Sequence, residues 1–249
     1  MIAVISPAKS LDFDRTPPPH APTRPRFGAE ADTLARAYAR LSRKRLSELM
    51  RISPALAALN VDRYRGFATA PERAALFAFA GDVYQGLDAH TLDERALARA
   101  QDRVRVLSGM YGLLRPLDAI RPHRLEMGTR WAPRRARLTD WWGDRIAAAL
   151  AEELEAIGSA TVLNLASDEY WASVADHLPA HVCVIATEFR EGADARFVSF
   201  HAKRARGSMA RWLVEHRVDD PAALPGFDRD GYCYDPEAST PHRLRFVRA

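Results

Sequence analysis

A short polar segment follows an apolar one near residue 165, and its side chains could support several kinds of chemistry. Residues 161–163 predict the start of a buried strand, and the seven residues that follow are NLASDEY, Asn164–Tyr170. They supply an amide, a hydroxyl, two carboxylates and a phenol, which suit proton transfer, anion binding or metal coordination. Taken alone, the segment favours a structural role, because Ser167 or Asp168 is well placed to cap the helix expected to begin there.

Four further predicted strands end in similar polar clusters. IAVI is followed by Ser6 and Lys9, and FAFA is followed by Asp82 and Tyr84. VRVL is followed by Ser108 and Tyr111, and FVSF is followed by His201, Lys203 and Arg204. Because ligands of sheet-based proteins bind in crevices beyond the strand ends, we expect these loops to surround one cleft. The prediction requires Lys9, Ser108, Asp168 and Lys203 to meet there. Candidate catalytic residues are Lys9, Ser108, Tyr111, Asp168, Glu169 and Tyr170.

Two basic segments indicate a site for anions. In HAKRARGSMARW (201–212), three cations crowd the predicted start of a helix, where positive charge is unfavourable unless an anion is bound. Residues 103–137 contain nine arginines against only Asp118 and Glu126. The alternative is a solvated basic surface with internal ion pairs to Asp168 or Glu169. The candidate DNA- or anion-binding residues are Lys9, Arg115, Arg121, Arg124, Lys203, Arg204 and Arg206.

Residues 53–67, SPALAALNVDRYRGF, could form two short helices joined by a turn at Leu59-Asn60. Such a helix-hairpin-helix holds DNA phosphates with the amides of its turn, independently of base sequence. The glycines usual in that turn are absent here, so a plain packing element is the alternative.

The elements that must position these residues alternate between strand and helix. Strands are predicted over 2–6, 74–81, 104–116 with a break at Ser108-Gly109, 161–165, 181–189, 196–202 and the C-terminal LRFVRA. Helices are predicted from Glu30, after Ser42, after Ser53, over 92–102, from Thr139 to Gly158, from Asp168 to about His177 and over 204–217. This order predicts an α/β (mixed α+β) protein, with residues 1–249 forming a single compact domain around a central mixed sheet flanked by helices.

Composition narrows the class of protein. Of the 249 residues, 47% are hydrophobic, enough for one sizeable core, and no apolar run reaches the roughly 18 residues of a membrane span. Cys183 and Cys233 show no metal-binding spacing, and no secretory leader is apparent. We therefore expect a cytoplasmic monomer without a metal or cofactor and without membrane contact. The net charge of +4 favours an anionic partner only slightly.

Eight motifs occur in order along the chain: SPAKSLDF, LMRIS, GDVYQGL, LSGMYGLLRPLD, RLEMGTRW, NLASDEYW, AKRARGSMARW and GFDRDGY. Together they resemble the YaaA family of bacterial peroxide-stress proteins, from Met1 to about Phe246. The motifs are carried on Lys9, Asp82, Tyr84, Ser108, Gly109, Tyr111, Arg115, Arg121, Glu126, Asn164, Ser167, Asp168, Glu169, Tyr170, Lys203, Arg204 and Arg206. Two positions depart from the family pattern: Ala80, where lysine is frequent, and His123, where tyrosine is frequent.

The resemblance implies a cytoplasmic protein of the peroxide response with an unusual α/β fold. It also implies a role in limiting free iron and Fenton damage, together with double-stranded DNA binding through a basic cleft and a helix-hairpin-helix. No established reaction comes with the family. The residues leave a second function open, an enzyme acting on a small anionic ligand in the strand-end cleft. Direct iron chelation by histidines and carboxylates is a third, weaker hypothesis, since the eight histidines show no HxxxH or HExxH spacing.

Overall fold

A computed structural model describes all residues from Met1 to Ala249. It contains ten α-helices: α1 (Gly28–Tyr38), α2 (Arg43–Met50), α3 (Pro54–Arg65), α4 (Ala75–Ala78), α5 (Asp82–Leu87), α6 (Glu94–Arg103), α7 (Leu138–Trp142), α8 (Arg145–Ala156), α9 (Asp168–Trp171) and α10 (Ser199–Glu215). The eleven strands are β1 (Ile2–Ile5), β2 (Ser10–Leu11), β3 (Arg73–Ala74), β4 (Phe79–Ala80), β5 (Val104–Ser108), β6 (Gly112–Leu114), β7 (Ala119–Ile120), β8 (Thr161–Leu165), β9 (Cys183–Glu191), β10 (Cys233–Thr240) and β11 (Arg243–Arg248).

Seven strands form the central sheet, in the order β10-β11-β9-β8-β1-β5-β6. The five inner strands are parallel, and the edge strands β6 and β10 each pair antiparallel with their neighbour. β1 is buried along its whole length, as expected for a strand with neighbours on both sides and helices over both faces. One cluster of 66 buried residues extends from Met1 to Phe246, which confirms the single compact α/β arrangement with a mixed central sheet. None of the helices combines the length and apolar composition needed to cross a membrane.

The predicted strand over 74–81 is wrong. Residues 75–78 form the single buried turn of α4 and separate two short extended pieces: Ala74, which ends β3 and pairs with β7, and Phe79–Ala80, which pair with β2. An apolar run of this length does not distinguish a strand from a buried helical turn, because every side chain is covered in either case. The chain then enters α5 directly after Gly81.

The predicted strand over 196–202 is also wrong, and this changes the basic segment that follows it. α10 begins at Ser199 rather than at 204, so Lys203, Arg204 and Arg206 lie in its second and third turns. Their charges therefore do not crowd the first turn of the helix, and the argument from an unfavourable helix dipole does not apply. Phe197 and Phe200, which suggested a buried strand, are exposed.

Two helices predicted as continuous are shorter. The helix expected from Thr139 to Gly158 is divided into α7 and α8 by Gly143, whose positive φ of 55° ends the first segment. The helix expected from Asp168 to about His177 ends at Trp171, and a 3₁₀ turn follows at Ala175–His177. Both differences lie within helical segments, so they do not change the strands of the sheet.

Residues 54–65 form one continuous helix, α3, so the predicted turn at Leu59-Asn60 is wrong. A helical hairpin does exist one element earlier, formed by α2 and α3. Ser42 and Ser53 cap these helices, accepting hydrogen bonds from the backbone of Arg45 and Leu56. Arg51 turns the chain between the helices in the left-handed conformation.

Candidate functional site

The carboxyl ends of three parallel strands meet at one edge of the sheet. β1 pairs with β5 on one side and with β8 on the other, so later parts of the chain extend the sheet on both sides of this central strand. Such a switch point opens a crevice beyond the strand ends. Three serines, Ser6, Ser108 and Ser167, lie there. The Oγ of Ser6 accepts a hydrogen bond from the backbone N–H of Ser167 at 2.9 Å and lies 3.3 Å from the Oγ of Ser167.

A cleft of about 590 Å³ opens above this edge. We call it the strand-end cleft; its polar lining is Ser6, Lys9, Ser10, Asp82, Tyr84, Ser167, Asp168, Glu169, Tyr170, Lys203 and Arg206. The structure thus brings Lys9, Asp168 and Lys203 together. Ser108 is fully buried and does not line the cleft. It borders a much smaller adjacent cavity with Lys9 and Tyr170, and its Oγ accepts from the N–H of Tyr111 at 3.1 Å.

The segment NLASDEY divides its side chains between structure and cleft. Asn164 accepts the N–H of Ala166 at 2.9 Å, and Glu169 accepts the N–H of Gly128 at 3.0 Å. Ser167 occupies the N-cap position of α9, but its side chain makes no capping hydrogen bond. Asp168 is exposed at the cleft wall. Local capping therefore does not account for Ser167 or Asp168.

The tyrosines around the site are held protonated by burial. Burial raises the pKa of Tyr84 and of Tyr170, both of which line the cleft, and Tyr84 donates to the carbonyl of Ser6 at 3.2 Å. Tyr111 lies outside the cleft; its hydroxyl accepts from the N–H of Arg121 at 3.0 Å, and burial raises its pKa as well. These phenols can donate hydrogen bonds near neutral pH but are poorly suited to act as bases.

Four of the predicted anion-binding residues form ion pairs within the protein. Lys9 and Arg124 contact Glu126 at 2.7 and 3.0 Å. Arg121 contacts Glu72 at 2.8 Å and Asp32 at 3.4 Å, while Arg115 lies 3.6 Å from Glu153. The charges of these four cations are therefore partly neutralised before any ligand arrives.

The remaining predicted cations differ from these. Lys203 and Arg206 lie one turn apart on α10 and both line the cleft, without an ion pair to Asp168 or Glu169. Burial lowers the pKa of the Arg206 guanidinium, and the nearby Asp168 carboxylate partly offsets that change. Arg204 is exposed and does not line the cleft. The position of α10 is fixed by its crossing with α5, where Gly86 and Gly207 allow backbone-to-backbone contact.

A second surface lies beside the cleft and was not predicted. Arg45, Arg51 and Arg130 line a recess of about 500 Å³ together with Glu48, Glu126 and Glu169. We call it the basic recess, because its three arginines form no ion pair, whereas Glu126 is already paired with Lys9 and Arg124. Glu169 borders both the recess and the strand-end cleft. The run RKR at 43–45, placed at the start of a helix, was the available sequence signal.

Comparison with known proteins supports the resemblance along the whole chain. A family model described as "Peroxide stress protein YaaA" matches residues 1–238. The chain belongs to this YaaA family. A relative from Rhizorhabdus wittichii, named UPF0246 protein, is 53% identical over 100% of this chain and 99% of its own length. Relatives of the same name from Paracidovorax citrulli and Phenylobacterium zucineum are 49% and 46% identical, each over 100% of this chain, and 98% and 95% of their own lengths.

Both departures from the YaaA pattern lie near the site. Ala80 lines the strand-end cleft, so the absence of a lysine there removes one cation from its wall. His123 is buried between the rings of Tyr111 and Phe79, with Nδ1 2.7 Å from the carbonyl of Arg121. Burial lowers the pKa of His123 to about 4, which keeps this histidine neutral. No group of three or more His, Cys, Asp or Glu side chains is arranged to hold a metal ion.

Proposed function

We propose that this member of the YaaA family acts in the peroxide response by binding double-stranded DNA without sequence preference and by limiting free iron and Fenton damage. The DNA part rests on one observation, the unpaired arginines of the basic recess. Cations already engaged with carboxylates, such as Arg121 and Arg124, gain little from a phosphate, whereas Arg45, Arg51 and Arg130 release counterions when they bind one. Phosphate contacts of this kind carry no base sequence information.

The helical hairpin adds backbone donors to the same surface. The N–H groups of Ser53 and Ala55, at the start of α3, have no partner within the protein, and both residues are exposed. Amides at the N-terminus of a helix suit a phosphate oxygen. These free amides, together with the turn at residues 51–53, support assigning α2 and α3 as the phosphate-binding hairpin of this proposal.

A salt titration of DNA affinity tests the proposal. We expect the logarithm of the association constant for a labelled duplex to fall linearly with the logarithm of salt concentration, with a slope of about −0.9 per phosphate contacted. The double variant Arg51→Gln/Arg130→Gln should weaken binding equally for unrelated duplex sequences. It should also reduce the magnitude of the slope by about 2.

The chain offers a matched control for this variant. Arg95 and Arg217 are exposed cations without ion pairs, in a recess of about 500 Å³ near the far end of α10. Arg95→Gln/Arg217→Gln removes the same charge and should leave the slope unchanged. Equal losses in both double variants would mean that only net charge matters, and salt-independent binding would exclude the proposal.

The iron part needs a cellular measurement. In a strain that lacks its own family member, the wild-type chain should lower chelatable iron after peroxide challenge, measured by whole-cell electron paramagnetic resonance. If DNA binding carries the protection, Arg51→Gln/Arg130→Gln should fail to rescue survival. Unchanged iron levels with the wild-type chain would contradict this part alone.

A second candidate function is an enzyme acting on a small anionic ligand in the strand-end cleft. The observation that favours it is that Lys203 and Arg206, which form no ion pair, line the same cleft as Asp168 and Glu169. Duplex binding alone does not call for carboxylates in such a position. A thermal-shift screen of anionic metabolites tests this function, since a bound ligand raises the unfolding temperature. If a ligand raises the unfolding temperature of Asp168→Asn as much as that of the wild type, Asp168 does not take part in binding it.

A further inference from the structure

Four charged side chains of the strand-end cleft stay free of one another. Lys203 and Arg206 supply two cations, and Asp82 and Asp168 supply two carboxylates, yet none of the four forms an ion pair or a side-chain hydrogen bond. Asp168 is close enough to affect the pKa of Arg206 but does not contact it. Elsewhere at this edge of the sheet, opposite charges are joined, as in Lys9–Glu126.

This separation restricts the chemistry of a ligand. A simple inorganic anion would satisfy Lys203 and Arg206 but would be repelled by both carboxylates. A divalent cation would satisfy Asp82 and Asp168 but would be repelled by the two cations. The complementary ligand therefore carries both an anionic group and hydrogen-bond donors.

The size and the lining of the cleft further narrow the class of ligand that fits it. Its volume of about 590 Å³ exceeds the needs of a single small ion, and its walls include the apolar side chains of Pro7, Ala8 and Val83. The hydroxyls of Tyr84 and Tyr170 remain protonated and add no charge. The Tyr84 hydroxyl already donates to the carbonyl of Ser6, so of these two only the Tyr170 hydroxyl is left as a donor. A flat, partly apolar ring that presents N–H groups at its edge matches these walls and the two carboxylates.

We propose that the strand-end cleft binds a single nucleotide. Its phosphate contacts Lys203 and Arg206, and the donor edge of its base contacts Asp168 or Asp82. The inference deepens the second candidate function by naming its ligand. Because Glu169 borders both the cleft and the basic recess, the nucleotide is either free in solution or an unpaired residue of a bound DNA strand. Guanine suits this site best, because its N1–H and exocyclic amino group can donate together to one carboxylate.

Calorimetric titration with guanosine monophosphate, adenosine monophosphate and inorganic phosphate tests the proposal. We expect the guanine nucleotide to bind more tightly than either other probe. Lys203→Gln/Arg206→Gln should weaken its binding at least tenfold, because both phosphate contacts are lost. Asp168→Asn should weaken nucleotide binding, since it changes a group that contacts the base, but should strengthen phosphate binding, because one repelling carboxylate is removed.

Arg204→Gln is the matched control. Arg204 lies between the two test residues on α10, is exposed and does not line the cleft, so nucleotide affinity should stay within about twofold of wild type. Circular dichroism and thermal melting of each variant confirm folding. Because Lys203 and Arg206 make no ion pairs, their replacement should not lower the melting temperature.

A second experiment tests whether the bound nucleotide is an unpaired residue of a DNA strand. A duplex containing one 2-aminopurine opposite an abasic site should gain fluorescence with wild-type protein, and Lys203→Gln/Arg206→Gln should abolish that gain. Binding of free nucleotide, or of the unpaired residue alone, supports the proposal and identifies the source. It is overturned if neither occurs, or if inorganic phosphate binds as tightly as the nucleotides. Loss of salt-dependent duplex binding with nucleotide binding retained would instead refute only the DNA function.

Discussion

Gly207 in α10 lies against the backbone of Val83 in α5 so closely that a methyl group on it would stand 1.8 Å from the Val83 carbonyl oxygen. The reciprocal contact is nearly as close, because a methyl group on Gly86 would stand 2.0 Å from the carbonyl oxygen of Arg204. No flexible side chain is available to yield at either position. This crossing holds Lys203 and Arg206 over the wall formed by Asp82 and Tyr84.

We therefore expect Gly207→Ala to destabilise the protein by about 3 kcal/mol or more, because two helix backbones must separate. Nucleotide or anion affinity in the cleft should fall with it. The free energy of unfolding in urea measures the effect. Gly28→Ala is the control, because a methyl group at that helical position meets nothing within 4 Å. Equal stability of the two variants would show that the crossing is not tight.

The ion pair between Arg105 on β5 and Glu153 on α8 is buried, with side chains 4% and 9% exposed. Burial lowers the pKa of Arg105, while Glu153 favours its charged form. Glu153→Leu alone should cost about 3 to 5 kcal/mol, because it leaves a buried cation unpaired. The double variant Arg105→Met/Glu153→Leu should recover part of that loss. A double variant less stable than the sum of the single changes would contradict this account.

The buried His123 makes stability depend on pH in mildly acidic solution. Its pKa is about 4 in the folded protein and 6.5 in the unfolded chain, so the unfolded chain binds more protons between these values. Stability should accordingly fall as the pH is lowered from 6.5 to 4, by at most about 3 kcal/mol from this residue. Urea titrations across this range should show a shallower fall in His123→Phe. His181→Gln, a change at an exposed histidine, should follow the wild-type profile.

Ser42 and Ser167 occupy equivalent positions before helices but should respond differently to alanine. The Oγ of Ser42 accepts the N–H of Arg45 at 3.1 Å, so Ser42→Ala should cost about 1 kcal/mol. Ser167 makes no such contact with α9, and Ser167→Ala should cost less than half as much. The change in unfolding free energy measures both, and a larger loss at Ser167 would assign it a capping role.

Ala80 provides a gain-of-function test of the charge of the cleft. Ala80→Lys adds a cation to the cleft that Lys203 and Arg206 already line. We expect tighter binding of a mononucleotide at low salt and a smaller difference at high salt, because screening weakens the added attraction. Ala80→Gln, which adds length without charge, is the control, and an equal gain with glutamine would exclude the electrostatic explanation.

The parallel strands at the centre of the sheet were predictable because each is a short apolar run followed by polar residues. Ile2–Ile5, Val104–Ser108 and Thr161–Leu165 are such runs, and the structure places all three side by side. Residues 75–78 and 196–200 were misassigned, because local composition does not reveal whether a side chain will be covered. Phe197 and Phe200 are 55% and 49% exposed, which nothing in their sequence indicates.

The site was predictable in outline but not in its charge pairing. Strand-end clustering correctly placed Lys9 and Asp168 in one cleft. Lys203 also lies there, but it lies on α10 and not after a strand, so the reason given for it was wrong. Whether an arginine is free depends on long-range partners, however, as in Arg121 with Glu72 and Asp32. Such pairs join residues far apart in sequence, so spacing alone did not separate the engaged arginines from the free ones. For the same reason, the basic recess between α2 and residues 126–130 was missed.

The place of β1 at the middle of the sheet has a consequence for synthesis on the ribosome. This strand emerges first, yet its neighbours are β5, about a hundred residues later, and β8, which is complete only at Leu165. Until β8 is complete, this run of four apolar residues has at least one unsatisfied hydrogen-bonding edge, a state that favours association with other chains. Folding is thus tied to late translation, and truncated products that end before residue 161 should be strong clients of chaperones.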